Sequence, residues 1–292
     1  GLDEIVVMGP GLSFGLDPNR GGVIFDLCHM DRALNLADTL TRRPEAYHHK
    51  LAEAGRNQDP GGEIASIHDQ VKVKEEGLEK LLIYDPCTRA SLRDHFFEAE
   101  PSREDFFAGQ ALESGDFLQA AYQVTRTQDG PDEAVATLTR TGRVGSTAVV
   151  VSKTLRAGRA PRLHVAYNLE NTGPEPIETV YACEFCLTLY SDQDEDRYLT
   201  APEIGNHHPV SETGREADLT RFELVNHGDG LKTTFTLSRP VNVSFFPLLN
   251  VSMSEDGFEK SYQGTVMHFC LPLRLEPGRP ERLGFDIELK AI

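Results

Sequence analysis

Apolar side chains recur at every second position along most of this chain. Leu163, Val165, Tyr167 and Leu169 alternate with His164, Ala166, Asn168 and Glu170, and Leu283, Phe285, Ile287 and Leu289 alternate with Gly284, Asp286, Glu288 and Lys290. Val23, Phe25 and Leu27 alternate in the same way with smaller or polar neighbours. Successive side chains of an extended chain point to opposite faces, so this period predicts strands with one apolar face. Similar runs cover 116–125, 132–140, 143–155, 178–190, 218–225, 231–238, 241–250 and 262–273. Turn-forming clusters separate them: Gln128 to Pro131, Ala157-Gly158, Asn171 to Pro174, Gly228 to Gly230 and Pro277-Gly278. Many strands without alternating helices predict an all-β fold, a large antiparallel β-sandwich.

The stretch from about 31 to 97 departs from the pattern. A polar, Gly-containing segment at 53–63 precedes VKVKEEGLEKLLIYD, in which Leu78, Leu81 and Leu82 form a short helical face with Glu and Lys on the solvated side. We expect a long excursion from the early sheet bearing one or two short helices. Ordered excursions of this length are usually functional or cover a neighbour. The whole chain, 1–292, is expected to form one domain.

Composition narrows the function classes. The 29 basic and 46 acidic residues give a net charge of −17, which repels phosphate backbones and makes nucleic acid a poor partner. No apolar stretch reaches the roughly 18 residues of a membrane helix, so no membrane span is expected. The chain begins GLDEIVV, with neither an initiator Met nor a signal-peptide layout, and is expected to be part of a longer polypeptide. Five cysteines, an odd number, do not suggest a disulfide framework and fit a reducing cytoplasm. Cys183 and Cys186 make a CxxC inside the strand-like run TVYACEFCLTLY. Positions three apart on a strand face opposite ways, so this pair cannot chelate one ion.

Candidate chemistry is sparse. Ten histidines include the adjacent pairs His48-His49 and His207-His208, but no HxxxH or HxH spacing, so no metal site is expected. GPGLSFG lacks the following Lys-Ser/Thr of a phosphate loop and reads as a β-turn. No GxSxG elbow is present, and nothing points to a cofactor. Two polar clusters stand out. TLTRRPEAYHHK holds Arg42, Arg43, Glu45, Tyr47 and His48; SIHDQ and YDPCTRASLRDHFF hold His68, Asp69, Tyr84, Asp85, Arg89, Asp94 and His95. Arg, Asp and His interleaved with bulky apolar residues suit a buried, charge-assisted network pinning the excursion to the sandwich or to a neighbouring domain. They equally suit recognition of sugar hydroxyls. Trp is absent, which argues against a dedicated sugar-binding module built on Trp platforms.

Several motifs carry a resemblance in consistent order: GGVIFDL, Asn35 followed by TLTRRPEAYHHK, EIASIHD, YDPCTRASLRDHFF, ESGDFLQAAYQV and FFPLLNVSMSEDGFEKSYQG. Across nearly all 292 residues the chain resembles the C-terminal region of family 57 glycoside hydrolases of the 4-α-glucanotransferase and α-amylase type. The resemblance implies a galactose mutarotase-like supersandwich that follows an incomplete (β/α) barrel in the same polypeptide. It also implies retaining cleavage or transfer of α-1,4-glucan by a glutamate nucleophile and an aspartate acid/base, a pair about 5–5.5 Å apart. Those two residues belong to the barrel, so no catalytic residue is expected here. The inferred role is a non-catalytic accessory domain that packs beside the barrel and completes the glucan cleft. Arg42, Arg43, Tyr47, His68, Asp69, Tyr84, Asp85, Arg89, Asp94 and His95 are the expected interface. An autonomous carbohydrate-binding module and a mutarotase-like epimerase are the alternatives. The latter needs a His acid and a carboxylate base converging in a sandwich cleft.

Overall fold

The period-two pattern produces two layers of antiparallel strands in the computed structural model, which describes residues 3–56, 74–130, 132–255 and 257–292. A small sheet of β1 (Ile5–Met8), β2 (Leu12–Asp17), β3 (Val23–His29) and β4 (Leu34–Asn35) opens the chain. The excursion follows with helix α1 (His48–Arg56) and a 3-10 turn at Leu78–Leu81, and ends at β5 (Arg93–Phe97). After helix α2 (Arg103–Ala108) come β6 (Gln123–Asp129), β7 (Glu133–Val144), β8 (Thr147–Gly158), β9 (Arg162–Asn171), β10 (Ile177–Leu187) and β11 (Arg197–Ala201). The chain closes with β12 (Asn206–Pro209), β13 (Gly214–Asn226), β14 (Leu231–Ser254), β15 (Gly257–Leu275) and β16 (Glu281–Ala291).

One layer runs β12-β11-β13-β14-β16-β9-β8-β7-β6; the other is built on β5, β10 and β15, with β15 pairing β14. The 24-residue β14 belongs to both. Leu231–Leu237 pairs with β16, whereas Asn242–Ser254 pairs with β15. The sequence pattern splits this strand at 239–240, where Pro240 lacks an N–H. The chain crosses there between layers, beside a break in the β13 register, without ending the strand. Rings lock the layers together: Phe185 lies 4.9 Å from Phe235 and 5.5 Å from Phe285, and Phe269 lies 5.5 Å from Phe285.

Three other expectations are modified. A bulge in the β2–β3 ladder turns Ile24 inward and leaves Phe25 39% exposed, its ring lying over Gly15. Residues 116–122 form no strand; Phe117 and Tyr122 are buried from a crossing loop that bonds to Arg143 and Pro18. Ala157-Gly158 continues β8, and the turn follows it. Cys183 and Cys186 do face opposite ways, Cys183 between the layers and Cys186 into a cluster with Phe97, Phe106 and Phe246.

A charge pair is buried between the layers. Asp94 accepts from Lys153 Nζ at 2.9 Å, Tyr122 at 2.5 Å and Tyr181 at 2.8 Å. The Lys153 ammonium spends its other two protons on the carbonyls of Gly21 (2.9 Å) and Leu92 (2.8 Å). Burial pulls the Lys153 ammonium below its usual range, and the Asp94 charge opposes that pull. Every donor is matched, so the cost lies in removing one partner. Lys153→Met is expected to lower unfolding stability by about 3–5 kcal/mol in urea titration. A loss below about 1 kcal/mol would mean that the tyrosines alone satisfy Asp94.

Candidate functional site

Because β5 alternates, Asp94 faces the interior and the next residue, His95, faces outward. The outer face of β5, β10 and β15 is where the excursion docks, and four of the ten predicted residues, Arg42, Asp85, Arg89 and His95, meet there. Asp85 receives Arg42 through Nη2 (2.6 Å), Nε (3.1 Å) and the backbone N–H (3.0 Å). It also receives Arg89 through Nη2 (2.7 Å) and Nε (3.0 Å). Arg89 bridges onward to Glu184 of β10, a carboxylate with no exposed surface. His268 of β15 meets the same Glu184 oxygen at 3.1 Å, and His95 Nε2 approaches it to 3.5 Å. His95 Nδ1 bonds Glu113 at 2.5 Å. Aromatic rings wall this chain of charges. Arg42 lies 5.6 Å from the Phe107 centroid, Arg89 5.7 Å from Phe246, and Phe106 of α2 stacks on His268 at 4.0 Å.

The protonation pattern follows from the contacts. Burial raises the carboxyls of Asp85 and Glu184, but the guanidiniums beside them outweigh it and hold both below the usual range, Glu184 well below. Burial also works against a charge on His95, yet the Glu113 carboxylate lifts it to about 9. His268 gains less from Glu184 than burial takes away, and falls to about 4. Arg42, Arg89 and His95 therefore balance Asp85, Glu184 and Glu113, with His268 neutral.

His95, Glu184 and His268 offer ligand atoms within 4.8 Å of one another, the donor types of a metal or acid–base centre. The three cations and three carboxylates already cancel, so a divalent ion would have to displace the His95 proton and sit beside Arg89. A 120 Å³ cavity adjoins the cluster between Cys87, Phe97, Phe106 and Glu113. Phe106 occupies the space over His268 where a substrate ring would lie.

Arg43, Tyr47 and Tyr84 form a rim at the surface. Arg43 is exposed and donates to Thr88 (3.2 Å). The Tyr47 hydroxyl donates to the Val251 carbonyl (3.4 Å), and Tyr84, 39% exposed, stacks on buried His48 with its hydroxyl 3.1 Å from Nδ1. A surface cleft of 160 Å³ is lined by Arg42, Arg43, Glu45, Tyr47, Asn250 and Gln263. Thus Arg42, Asp85, Arg89 and His95 converge in a buried network, Arg43, Tyr47 and Tyr84 stand at its rim, and Asp94 lies on the opposite face. His68 and Asp69 lie outside the described residues. Sequence reasoning passed over Glu184 and His268, whose signal was a single charged or polar residue inside each of two apolar runs, ACEFC and VMHFC.

Residues 1–280 match the family described as α-amylase/4-α-glucanotransferase, C-terminal. The α-amylase 1 of Dictyoglomus thermophilum is 31% identical over 273 residues, covering 92% of this chain and 38% of the relative. The 4-α-glucanotransferase of Thermococcus kodakarensis is 28% identical over 94% of this chain and 38% of its own length. Among solved structures, the 4-α-glucanotransferase of Thermococcus litoralis superposes with a TM-score of 0.74 at 21% identity, over 99% of this chain and 37% of that one. A galactose mutarotase-like protein from Clostridium acetobutylicum shares the fold over 99% of this chain and 95% of its own, at a TM-score of 0.59 and 8% identity. The chain thus spans about 38% of the length of the curated relatives it matches.

The two histidines make stability depend on pH in opposite senses. His268 stays neutral in the fold down to about 4 against an ordinary 6.5, so stability rises from pH 4 to 6.5 as the unfolded chain gives up its proton. His95 stays charged to about 9, so its contribution is complete below 6.5 and is lost as pH rises through 9. Denaturant midpoints across this range are expected to peak near pH 6.5, and His95→Gln is expected to flatten the alkaline limb. An unchanged alkaline limb in that variant would show that His95 is uncharged in the fold.

Proposed function

The chain belongs to the α-amylase/4-α-glucanotransferase C-terminal family, and from that premise we propose that it is the non-catalytic accessory sandwich of an α-glucan-acting enzyme. The observation that carries the reading is the surface rim of Arg43, Glu45 and Tyr47, set on the buried Arg42–Asp85–Arg89 pairs. A rigid base under exposed hydroxyl-binding groups is what the wall of a sugar cleft requires. In this reading the sandwich packs beside an N-terminal catalytic barrel of the same polypeptide and Arg43, Tyr47 and Tyr84 complete the glucan cleft. The exposed apolar face of the small sheet, with Val6 62%, Met8 78% and Phe25 39% exposed, offers the barrel a contact surface. The substrate class is starch, glycogen or maltooligosaccharide, and the setting is the cytoplasm. Among the described residues no helix is long and apolar enough to cross a membrane.

A mutarotase-like activity finds its residue types in His95, Glu184 and His268. Phe106 stacked on His268 and the small adjoining cavity leave no room for a pyranose beside them.

Two measurements test the proposal. Incubated with maltoheptaose, the isolated chain is expected to release no sugar; turnover would overturn the non-catalytic reading. In the polypeptide that carries the catalytic part, Arg43→Ala combined with Tyr47→Ala is expected to raise KM for maltoheptaose about three- to ten-fold, the scale of one or two surface hydrogen bonds. The expected kcat is nearly unchanged. An unaltered KM would remove the rim from the glucan cleft.

A further inference from the structure

A larger cleft lies far along the chain from the excursion, at the β11–β12 edge of the long sheet. It has a volume of 560 Å³, within the roughly 300–1,000 Å³ range of ligand pockets, against 120 and 160 Å³ for the cavities described above. Its floor follows from strand register. Tyr198 pairs with Pro209 and Thr200 with His207, so Tyr198, His207 and Pro209 share the outward face of the hairpin. Leu199 and His208 take the other face, where Leu199 is fully buried and His208 packs on Phe245. The Tyr198 ring lies 5.0 Å from His207 and 6.0 Å from His227, tilted by 44° and 45° to them. Tyr198 and His207 line the cleft, the tyrosine half-buried and the histidine exposed, and the exposed His227 stands against the tyrosine outside the lining.

The rim is acidic. Asp192 and Glu195 line it and make no hydrogen bond among the described residues, while Asp194 is engaged by Arg197. Free carboxylates accept hydrogen bonds from hydroxyls, and aromatic rings stack on the C–H face of a sugar. Such a site repels anionic saccharides; its one guanidinium, Arg197, is already held by Asp194 and Asp229, and its lining offers no deep apolar well. The 44° tilt between the Tyr198 and His207 rings makes a stacking surface that is not flat, which fits a curved α-1,4-linked chain better than a flat β-1,4-linked ribbon.

We propose that the β11–β12 groove is a second saccharide site that holds a neutral α-1,4-glucan chain on Tyr198 and His207, away from the excursion rim. The substrate class rests on the accessory-domain reading above; the site itself rests on this groove alone. It would tether long glucan to the polypeptide without touching the reacting bond.

Calorimetric titration of the 292-residue chain with maltoheptaose and with cellohexaose tests it. Saturable micromolar-to-millimolar binding of maltoheptaose is expected, with binding of cellohexaose about ten-fold weaker or absent. Tyr198→Ala is expected to weaken maltoheptaose binding about ten-fold with an unchanged melting temperature. Tyr198→Phe, which keeps the stacking face, is expected to retain it, and His207→Ala provides an independent probe of the same pair. Arg43→Ala with Tyr47→Ala is expected to leave this binding in place. Loss of binding in that rim variant but not in Tyr198→Ala would overturn the groove while leaving the accessory-domain reading intact. No binding by the unaltered chain, or equal affinity for cellohexaose, would also overturn the groove; the accessory-domain reading stands or falls on sugar release and KM.

Discussion

A carboxylate with no exposed surface, Glu184 in the middle of β10, sets the main constraint on this fold. A buried charge left alone is costly, so β10 forms as observed only when Arg89, His95 and His268 are brought to it. Arg89 belongs to the excursion and is oriented by Asp85, which also holds Arg42 across 43 residues of sequence. Docking the excursion and neutralising Glu184 are therefore one event. It also explains why Thr179 through Leu187 are buried without alternation: the interior covers one face of β10 and the excursion covers the other.

Two charge networks sit back to back across β5. Asp94 reaches inward to Lys153 and His95 reaches outward to Glu113 and Glu184. The inward one uses all three ammonium protons of Lys153, whereas the outward one leaves His95 Nε2, Glu184 Oε1 and His268 Nδ1 buried without a hydrogen-bond partner; each joins segments remote in sequence. Leu92, at φ +62°, a conformation rare for leucine, supplies one carbonyl to Lys153 just before β5 begins. These polar contacts specify which strand lies beside which more sharply than the surrounding apolar side chains do, since a two-residue slip keeps an apolar face inward but breaks an ion pair.

Fold likeness and chemistry part company here. The supersandwich is shared with mutarotase-like proteins, yet in this chain the His–Glu–His face is closed by Phe106 and charge-balanced by Arg89. What remains accessible is peripheral: the rim of Arg43, Tyr47 and Tyr84, and the ring pair at the β11–β12 edge. Both are the surfaces proposed above to hold a chain of sugars. That division of labour fits a domain matched to about 38% of the length of its α-amylase and glucanotransferase relatives.

Period-two alternation by itself determined the antiparallel sandwich, the positions of most strands and the opposed faces of Cys183 and Cys186, because side-chain direction in a strand is a local property. The polar density of the excursion marked Arg42, Asp85, Arg89 and His95 only within a larger group that included Arg43, Tyr47, Tyr84 and Asp94, and left a charge network and sugar recognition both open. Tertiary structure alone decided the rest. The bulge that turns Phe25 outward depends on pairing with β2, and the continuation of β14 past Pro240 depends on a second layer waiting to receive it. Glu184 and His268 could not be ranked above other isolated polar residues until β10 and β15 were placed side by side. The ring pair of Tyr198 and His207 exists only because two strands align segments that are separate in the chain. In each case the deciding term is a long-range pairing energy, to which a local pattern contributes nothing.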